Sequence, residues 1–154
     1  MGTNESLQTI YEVVRIKQVF TESEGLEVTT IRSPHDGAIV ASSFIGDEDR
    51  EVFLVIALNT KQGITAIHRC HVGSINASIV HPREVFKMLV LNNANSFVVA
   101  HNHPSNDCTP SREDLAVTKR LKEAGELMGI ELLDHVIVGA NNNNYVSLRE
   151  KGYL

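Results

Sequence analysis

The sequence is poor in the residues that mark several classes of protein. Aromatic residues make up only 5% of the 154 residues and tryptophan is absent, so no base-stacking platform for single-stranded nucleic acid is visible. Two cysteines are too few for a disulfide scaffold, and reduced thiols are the expectation. No apolar run approaches the roughly 18 residues of a membrane-spanning helix, and the start lacks the features of a secretory signal. We expect a cytoplasmic protein without membrane contact.

Basic residues are also in the minority. Fourteen Lys and Arg against nineteen Asp and Glu give a formal net charge of −5, and no basic block stands out. Nonspecific nucleic-acid binding depends on neutralising phosphates, so this balance argues against it without excluding a local basic patch. The length and the apolar share of 42% predict one globular domain with a substantial core. The sequence does not indicate an oligomeric state.

Strand and helix signals alternate along the chain. Strands are predicted over 11–20, 52–58, 64–72, 96–100, 132–138 and 145–148, and helices over 34–45, 82–93 and from 111 to about 129. A run of asparagines at 141–144 predicts a loop. This order predicts an α/β fold with helices on both faces of a mixed sheet. We divide the single domain into a lead-in strand and helix over 1–45, packed on a catalytic part over 46–154.

Two histidines follow the strand predicted over 96–100. Because side chains alternate along a strand, His101 and His103 lie on the same side, where two imidazoles can share a metal ion. Ser111 is a candidate helix N-cap and Asp114 lies three residues later, so both side chains point back toward the start of that helix. Folding the intervening loop back brings the Asp114 carboxylate to the two histidines.

Two histidines and a carboxylate suit Zn²⁺, with the fourth position left to water. Zinc lowers the pKa of that water toward ~7, and hydrolysis then needs a general base. Glu51, which opens the buried 52–58 strand, is the best candidate; the alternative is that it is only an exposed residue at a strand start. Asp114 has a second interpretation as a capping carboxylate favoured by the helix dipole, a role that does not exclude ligation.

Other chemistry-bearing residues receive structural interpretations. Cys108 is a small loop residue, a redox-sensitive thiol or an alternative zinc ligand, and Gly73 either lines the cleft or makes a plain turn. His81 precedes Pro82 and is expected to cap a helix, whereas His135 is expected to be a hydrogen-bonded core histidine. Two competing zinc motifs, the H-x-E with P-C-x-x-C of deaminases and H-E-x-x-H, are absent.

The spacing His-x-His, seven residues, Ser-x-x-Asp resembles the JAMM (MPN+) metalloprotease motif. The wider sequence, from about residue 33 to the C-terminus, resembles the RadC family of JAB-domain proteins. The segments that carry this resemblance are Gly73-Ser74-Ile75-Asn76, His81-Pro82-Arg83-Glu84, His101-Asn102-His103-Pro104-Ser105, Pro110-Ser111 and Leu132-Leu133-Asp134-His135. In one place the chain departs from the family, which has Gly and then Asp-Pro where this chain has Asn106-Asp107-Cys108. Asn tolerates a left-handed backbone better than most residues, so the loop shape is expected to survive.

The resemblance implies a three-layer α/β/α sandwich of the JAB/MPN, cytidine-deaminase-like type. It implies that His101, His103 and Asp114 hold zinc and that Glu51 is the proton shuttle. It also implies that Ser111 hydrogen-bonds the bound water or the tetrahedral oxyanion.

Three hypotheses for function follow. The leading one is a zinc-dependent hydrolase of peptide or isopeptide bonds, acting on a protein or peptide substrate that the sequence does not identify. The alternative is a protein associated with DNA repair or recombination, with structural or vestigial zinc. RadC proteins resemble a helix-hairpin-helix module joined to a JAB domain, and such a module is not expected here, which weakens direct nucleic-acid binding. A third is a scaffold that binds protein tails without cutting them, against which the intact ligand set argues.

Overall fold

The computed structural model describes residues 6–140 and 143–154, in which three helices and five strands alternate. In chain order these are α1 Pro34–Ile45, β1 Val52–Leu58, β2 Ile64–Val72, α2 Pro82–Leu91, β3 Ser96–His103, α3 Arg112–Met128, β4 Glu131–Gly139 and β5 Tyr145–Ser147. Asn141 and Asn142 of the predicted asparagine loop lie outside the described residues. Within the described residues, no helix is both long and apolar enough to cross a lipid bilayer.

The five strands form one sheet in the order β2-β1-β3-β4-β5. The β3–β4 pair is parallel, and the pairs β1–β2, β1–β3 and β4–β5 are antiparallel, so the sheet is mixed, as predicted. β1 lies in the interior of this sheet and every one of its residues is buried. Its unbroken apolar run is typical of a strand covered on both faces.

Alternate side chains of β1 enter two separate apolar clusters. Phe53 and Val55 pack with the buried faces of α2 and α3, whereas Leu54 and Ile56 pack with α1. Successive side chains of a strand point to opposite faces of the sheet, so one helix covers one face and two helices cover the other. The predicted three-layer α/β/α sandwich is confirmed.

Local capping signals fix where the helices begin and end. The Ser33 side chain accepts a hydrogen bond from the Asp36 amide at 3.2 Å, and Pro34 follows at the first helical position of α1. α3 ends at Gly129, whose φ of 70° is easily adopted without a side chain. α2 ends two residues earlier than predicted, because Asn93 adopts a φ of 49° and breaks the helical backbone.

The predicted lead-in strand at Tyr11–Phe20 is wrong. The segment has no strand structure, and its apolar side chains face solvent, with Tyr11 87% and Val19 100% exposed. β-Branched residues favour a strand only where a neighbouring strand accepts their backbone hydrogen bonds and side chains. Backbone bonds to the sheet come from Thr29 and Ile31 instead: the Ile31 amide donates to the Gln62 carbonyl before β2, and the Thr29 carbonyl accepts from the Ile64 amide at the start of β2. The proposed division of the domain at residue 45 stays a prediction.

Candidate metal centre

The end of β3 presents two imidazoles side by side. His101 and His103 point to the same face of the sheet, and their Nε2 atoms lie 3.0 Å apart. β3 runs through both histidines rather than stopping at residue 100, so strand geometry fixes their common direction. The His101 side chain is fully buried and that of His103 is 12% exposed. The pair therefore opens to solvent on the His103 side.

The first turn of α3 brings a carboxylate to this pair. Ser111 and Asp114 form a reciprocal capping box, in which the Asp114 amide donates to Ser111 Oγ at 3.1 Å and the Ser111 amide donates to Asp114 Oδ2 at 2.8 Å. The cap fixes the carboxylate so that Oδ1 lies 3.1 Å from His101 Nε2 and Oδ2 lies 3.2 Å from His103 Nε2. The structure thus brings together the three residues predicted as ligands.

The three side chains polarise one another. Burial opposes the charged carboxylate, but the hydrogen bonds with His101 and His103 outweigh it and hold the pKa of Asp114 well below its ordinary value. The hydrogen bond with Asp114 raises the pKa of His103 against the effect of its burial. In addition, His103 Nδ1 lies 2.7 Å from the Asp107 carbonyl, which can only accept, so that nitrogen carries the proton and Nε2 faces the centre.

This donor set fits zinc. Catalytic zinc sites combine imidazole nitrogens with a carboxylate oxygen at about 2.0–2.1 Å, and tetrahedral geometry then separates the ligand atoms by about 3.3–3.4 Å. The two Nε2 atoms lie 3.0 Å apart, close to that spacing, and each has an Asp114 carboxylate oxygen at 3.1 to 3.2 Å, Oδ1 for His101 and Oδ2 for His103. Tetrahedral coordination by these three residues would leave the fourth position for water or substrate.

Glu51 stands beside the cluster, immediately before β1. Its Oε1 lies 3.7 Å from His103 Nε2, and its side chain is 29% exposed. The donor atoms of Glu51, His101 and His103 lie within 4.8 Å of one another, so Glu51 is itself within reach of an ion held there. The Asp114 carboxylate is nearer to the histidines, and its side chain is only 3% exposed. Glu51 is therefore the more solvent-accessible of the two carboxylates. The structure thus brings Glu51 beside the two histidines, and its role as base stays a prediction.

Asn102 is a site residue to which the sequence analysis gave no role. Its side chain points away from those of its two histidine neighbours, where Oδ1 accepts a hydrogen bond from the Val52 amide at 2.7 Å. Nδ2 donates to the carbonyl of Arg50 at 3.0 Å and reaches that of Glu48 at 3.4 Å. The bonds clamp the chain on both sides of Glu51. The sequence did contain a signal for this role, because a polar amide between two residues of a buried strand needs hydrogen-bond partners.

Two buried side chains, those of His135 and Thr118, lie behind His101, and no sequence pattern indicated their contact with it. His135, on β4, is fully buried as expected of a core histidine, but its Nε2 lies 2.7 Å from Nδ1 of His101. Its other nitrogen, Nδ1, lies 2.6 Å from Oγ1 of Thr118 on α3. The Phe53 ring stacks against the His101 ring at 6.4 Å and meets His135 edge-on at 5.8 Å. The candidate ligand therefore has an ordered second layer.

The remaining candidates take structural positions. His81 is the N-cap of α2, where Nδ1 accepts from the Arg83 amide at 3.1 Å, as expected. Cys108 is buried, and burial raises the pKa of its thiol, which does not favour a thiolate ligand. Asn106 adopts a left-handed φ of 67°, as expected for a residue that replaces glycine. The Gly73 amide donates to the Glu51 carbonyl at 2.8 Å, so this glycine lies next to the candidate base.

Comparison with known proteins places this geometry in a family. The profile of the RadC-like JAB domain matches residues 31–153. The chain belongs to the RadC-like JAB domain family. The matched range of the RadC-like domain contains α1, the whole sheet and every residue of the candidate centre.

Relatives of this RadC-like chain are found in several bacteria. A UPF0758 protein of Bacillus velezensis is 46% identical over 154 residues, which cover 100% of this chain and 65% of that protein. UPF0758 proteins of a Geobacillus species and of Bacillus subtilis (YsxA) are each 52% identical over 124 residues, 80% of this chain. Those matches cover 54% and 53% of the relatives, so the chain spans between half and two thirds of their length. The name UPF0758 states no activity.

Proposed function

We propose that the chain is a zinc-dependent hydrolase of peptide or isopeptide bonds. The observation that carries this proposal is the convergence of two imidazole Nε2 atoms, of His101 and His103, and the Asp114 carboxylate, each within 3.2 Å of the others. We assign these three residues as the metal ligands. Membership in the RadC-like JAB family agrees with the assignment, because the matched range contains all three residues.

Zinc in this position would act as a Lewis acid on a carbonyl oxygen and would lower the pKa of a water molecule. The residues of the chain then supply the remaining functions. Glu51 is near enough to the centre to take up a proton and open enough to return it to a leaving amine. Ser111 uses its oxygen to cap α3, which leaves its hydroxyl proton for a developing oxyanion.

The substrate class in this proposal is a protein or peptide, since the leaving group that Glu51 protonates is an amine. The net charge of −5 gives no support to nucleic acid as a direct partner. Cys70 and Cys108 are free thiols, which is in keeping with the proposed cytoplasmic setting.

The test pairs zinc content with turnover. Protein stripped with a chelator and reloaded is expected to hold one zinc per chain by elemental analysis. A screen of linear and isopeptide-linked peptides then finds a substrate for the wild-type chain. Glu51→Gln removes the proton acceptor but no assigned ligand, so it is expected to keep zinc and lose at least about a hundredfold in kcat. Glu48→Gln is the matched control, because Glu48 pairs with Arg69 on the surface and should leave kcat unchanged.

Two results would contradict the proposal. A folded wild-type chain that takes up no zinc would remove the metal centre. Full turnover by Glu51→Gln would remove Glu51 as the base while leaving the metal assignment intact.

A further inference from the structure

Behind the candidate centre, a chain of hydrogen-bonding groups runs from His101 into the protein and returns to Asp114. Nδ1 of His101 faces Nε2 of His135 at 2.7 Å, and Nδ1 of His135 faces Oγ1 of Thr118 at 2.6 Å. The Thr118 hydroxyl donates to the backbone carbonyl of Asp114 at 2.8 Å. This series of hydrogen bonds thus begins at one proposed ligand, His101, and ends on the backbone of another, Asp114.

Metal binding allows the hydrogen bonds of this series to be donated in only one direction, from His101 toward Asp114. A histidine binds zinc through a lone pair, so Nε2 of His101 must be free of a proton and Nδ1 must carry it. Nδ1 then donates to Nε2 of His135, which places the His135 proton on Nδ1, facing Thr118. The single Thr118 proton goes to the Asp114 carbonyl, which can only accept. Every donor in the chain has an acceptor in this arrangement.

The surroundings keep His135 suited to this role. Its side chain is fully buried between His101 and Thr118, and the neutral imidazole offers a lone pair on Nε2 to the Nδ1 proton of His101. The Phe53 ring packs against both imidazoles, and both imidazoles are fully buried, so their shared hydrogen bond is shielded from solvent. A neutral histidine next to a candidate ligand has two tautomers, and the Thr118 hydroxyl selects between them.

We propose that His135 and Thr118 are positioning residues, which fix the tautomer and ring orientation of His101 for zinc binding. Through Thr118, they also connect the His101 ring to the backbone of the first turn of α3. This inference rests on the proposed metal centre and adds to it a second layer that holds the ligand. Outer partners of metal-bound histidines typically contribute 10–100-fold to metal affinity.

The test removes only the hydroxyl of Thr118. Thr118→Val keeps the branched shape of a buried side chain but cannot accept the His135 proton, whereas Thr118→Ser keeps the hydroxyl. Zinc dissociation constants are measured by competition with a chromophoric chelator. We expect Thr118→Val to weaken zinc binding 10–100-fold and Thr118→Ser to stay within about threefold of the wild type.

A second measurement uses the wild-type chain, so that it does not depend on the folding of a variant. Histidine ¹⁵N shifts of the zinc-loaded protein are expected to show both His101 and His135 protonated on Nδ1. An Nε2-protonated His135, or zinc binding by folded Thr118→Val within threefold of the wild type, would overturn the inference alone. A wild-type chain that binds no zinc would overturn the metal centre and this inference together.

Discussion

Oδ1 of Asp114 lies 3.1 Å from Nε2 of His101, so the first turn of a helix and the end of a strand meet at one point. An ion held there would bind the folded state only, and ligand at 100 times its dissociation constant adds about 2.7 kcal/mol to the free energy of unfolding. For a domain of this size we expect zinc to raise Tm by about 5–10 °C. Differential scanning calorimetry with and without zinc measures the shift.

Asp114→Asn should abolish this zinc-dependent shift, because the amide keeps an oxygen for the Ser111 amide but loses the charge that binds the ion. The matched control is Glu113→Gln, which removes the exposed neighbouring carboxylate of the same helical turn. A shift in Asp114→Asn as large as that of the wild type would contradict the assignment of Asp114 as a ligand.

Asn102→Leu is expected to separate the metal from the base. The substitution leaves the buried Val52 amide without its acceptor, at a cost of about 1–3 kcal/mol, and frees the chain around Glu51. We expect kcat to fall at least tenfold while zinc affinity stays within about threefold of the wild type. Asn95→Ala, in the exposed turn before β3, is the control. Unchanged kcat in folded Asn102→Leu would show that the clamp does not position Glu51.

Ser111 caps α3 and is also proposed to stabilise the oxyanion, and substitutions can separate these two roles. Ser111→Ala loses the side chain that caps α3, which should lower the free energy of unfolding by about 0.5–2 kcal/mol in urea titrations. Ser111→Asn restores a capping acceptor without a hydroxyl, so it should recover stability but not turnover. Recovery of both would assign Ser111 to capping alone.

Cys70 should be slow to react and should make stability depend on alkaline pH. Burial raises the pKa of its thiol to about 11, and only the thiolate reacts with iodoacetamide, so alkylation at pH 9 should be far slower in the folded than in the urea-unfolded chain. The unfolded thiol ionises first, so the free energy of unfolding should fall as the pH rises from about 9 to about 11. In Cys70→Ala, the part of this fall in the free energy of unfolding that comes from the thiol should be missing. Equal alkylation rates in the folded and unfolded chains would contradict the raised pKa of Cys70.

Direct DNA binding is expected to be absent. A chain with a formal charge of −5 gains little from releasing counterions, so a titration of double-stranded DNA at physiological salt should show no saturable binding. Binding at low salt that weakens steeply as salt rises would favour the nucleic-acid hypothesis instead.

The meeting of the three proposed ligands could be predicted from sequence because local rules place their side chains. Alternation along β3 puts His101 and His103 on one side, and the capping box fixes the direction of Asp114 whatever the loop before it does. Ser33 and Pro34 mark the start of α1 in the same local way. The structure confirms each of these placements.

Contacts between distant segments could not be predicted in this way. His135 meets His101 because the parallel register of β3 and β4 sets Val99 opposite His135, and no pattern near His135 specifies that register. Thr118 joins them from α3 only after the helix packs on the sheet. The strand predicted at Tyr11–Phe20 failed for the same reason, because a strand depends on a partner that its own residues do not encode.

The alternation at the end of β3 has a consequence for how this sequence can change. His101 and His103 serve the centre from one face, while Asn102 between them holds the Glu51 segment from the other. Inserting or deleting a single residue in this strand would exchange the two faces, turning both imidazoles toward α1 and the amide into the cleft. Insertions and deletions are therefore expected only in the connections outside β3. Within β3, the sequence can change by substitution but not in length.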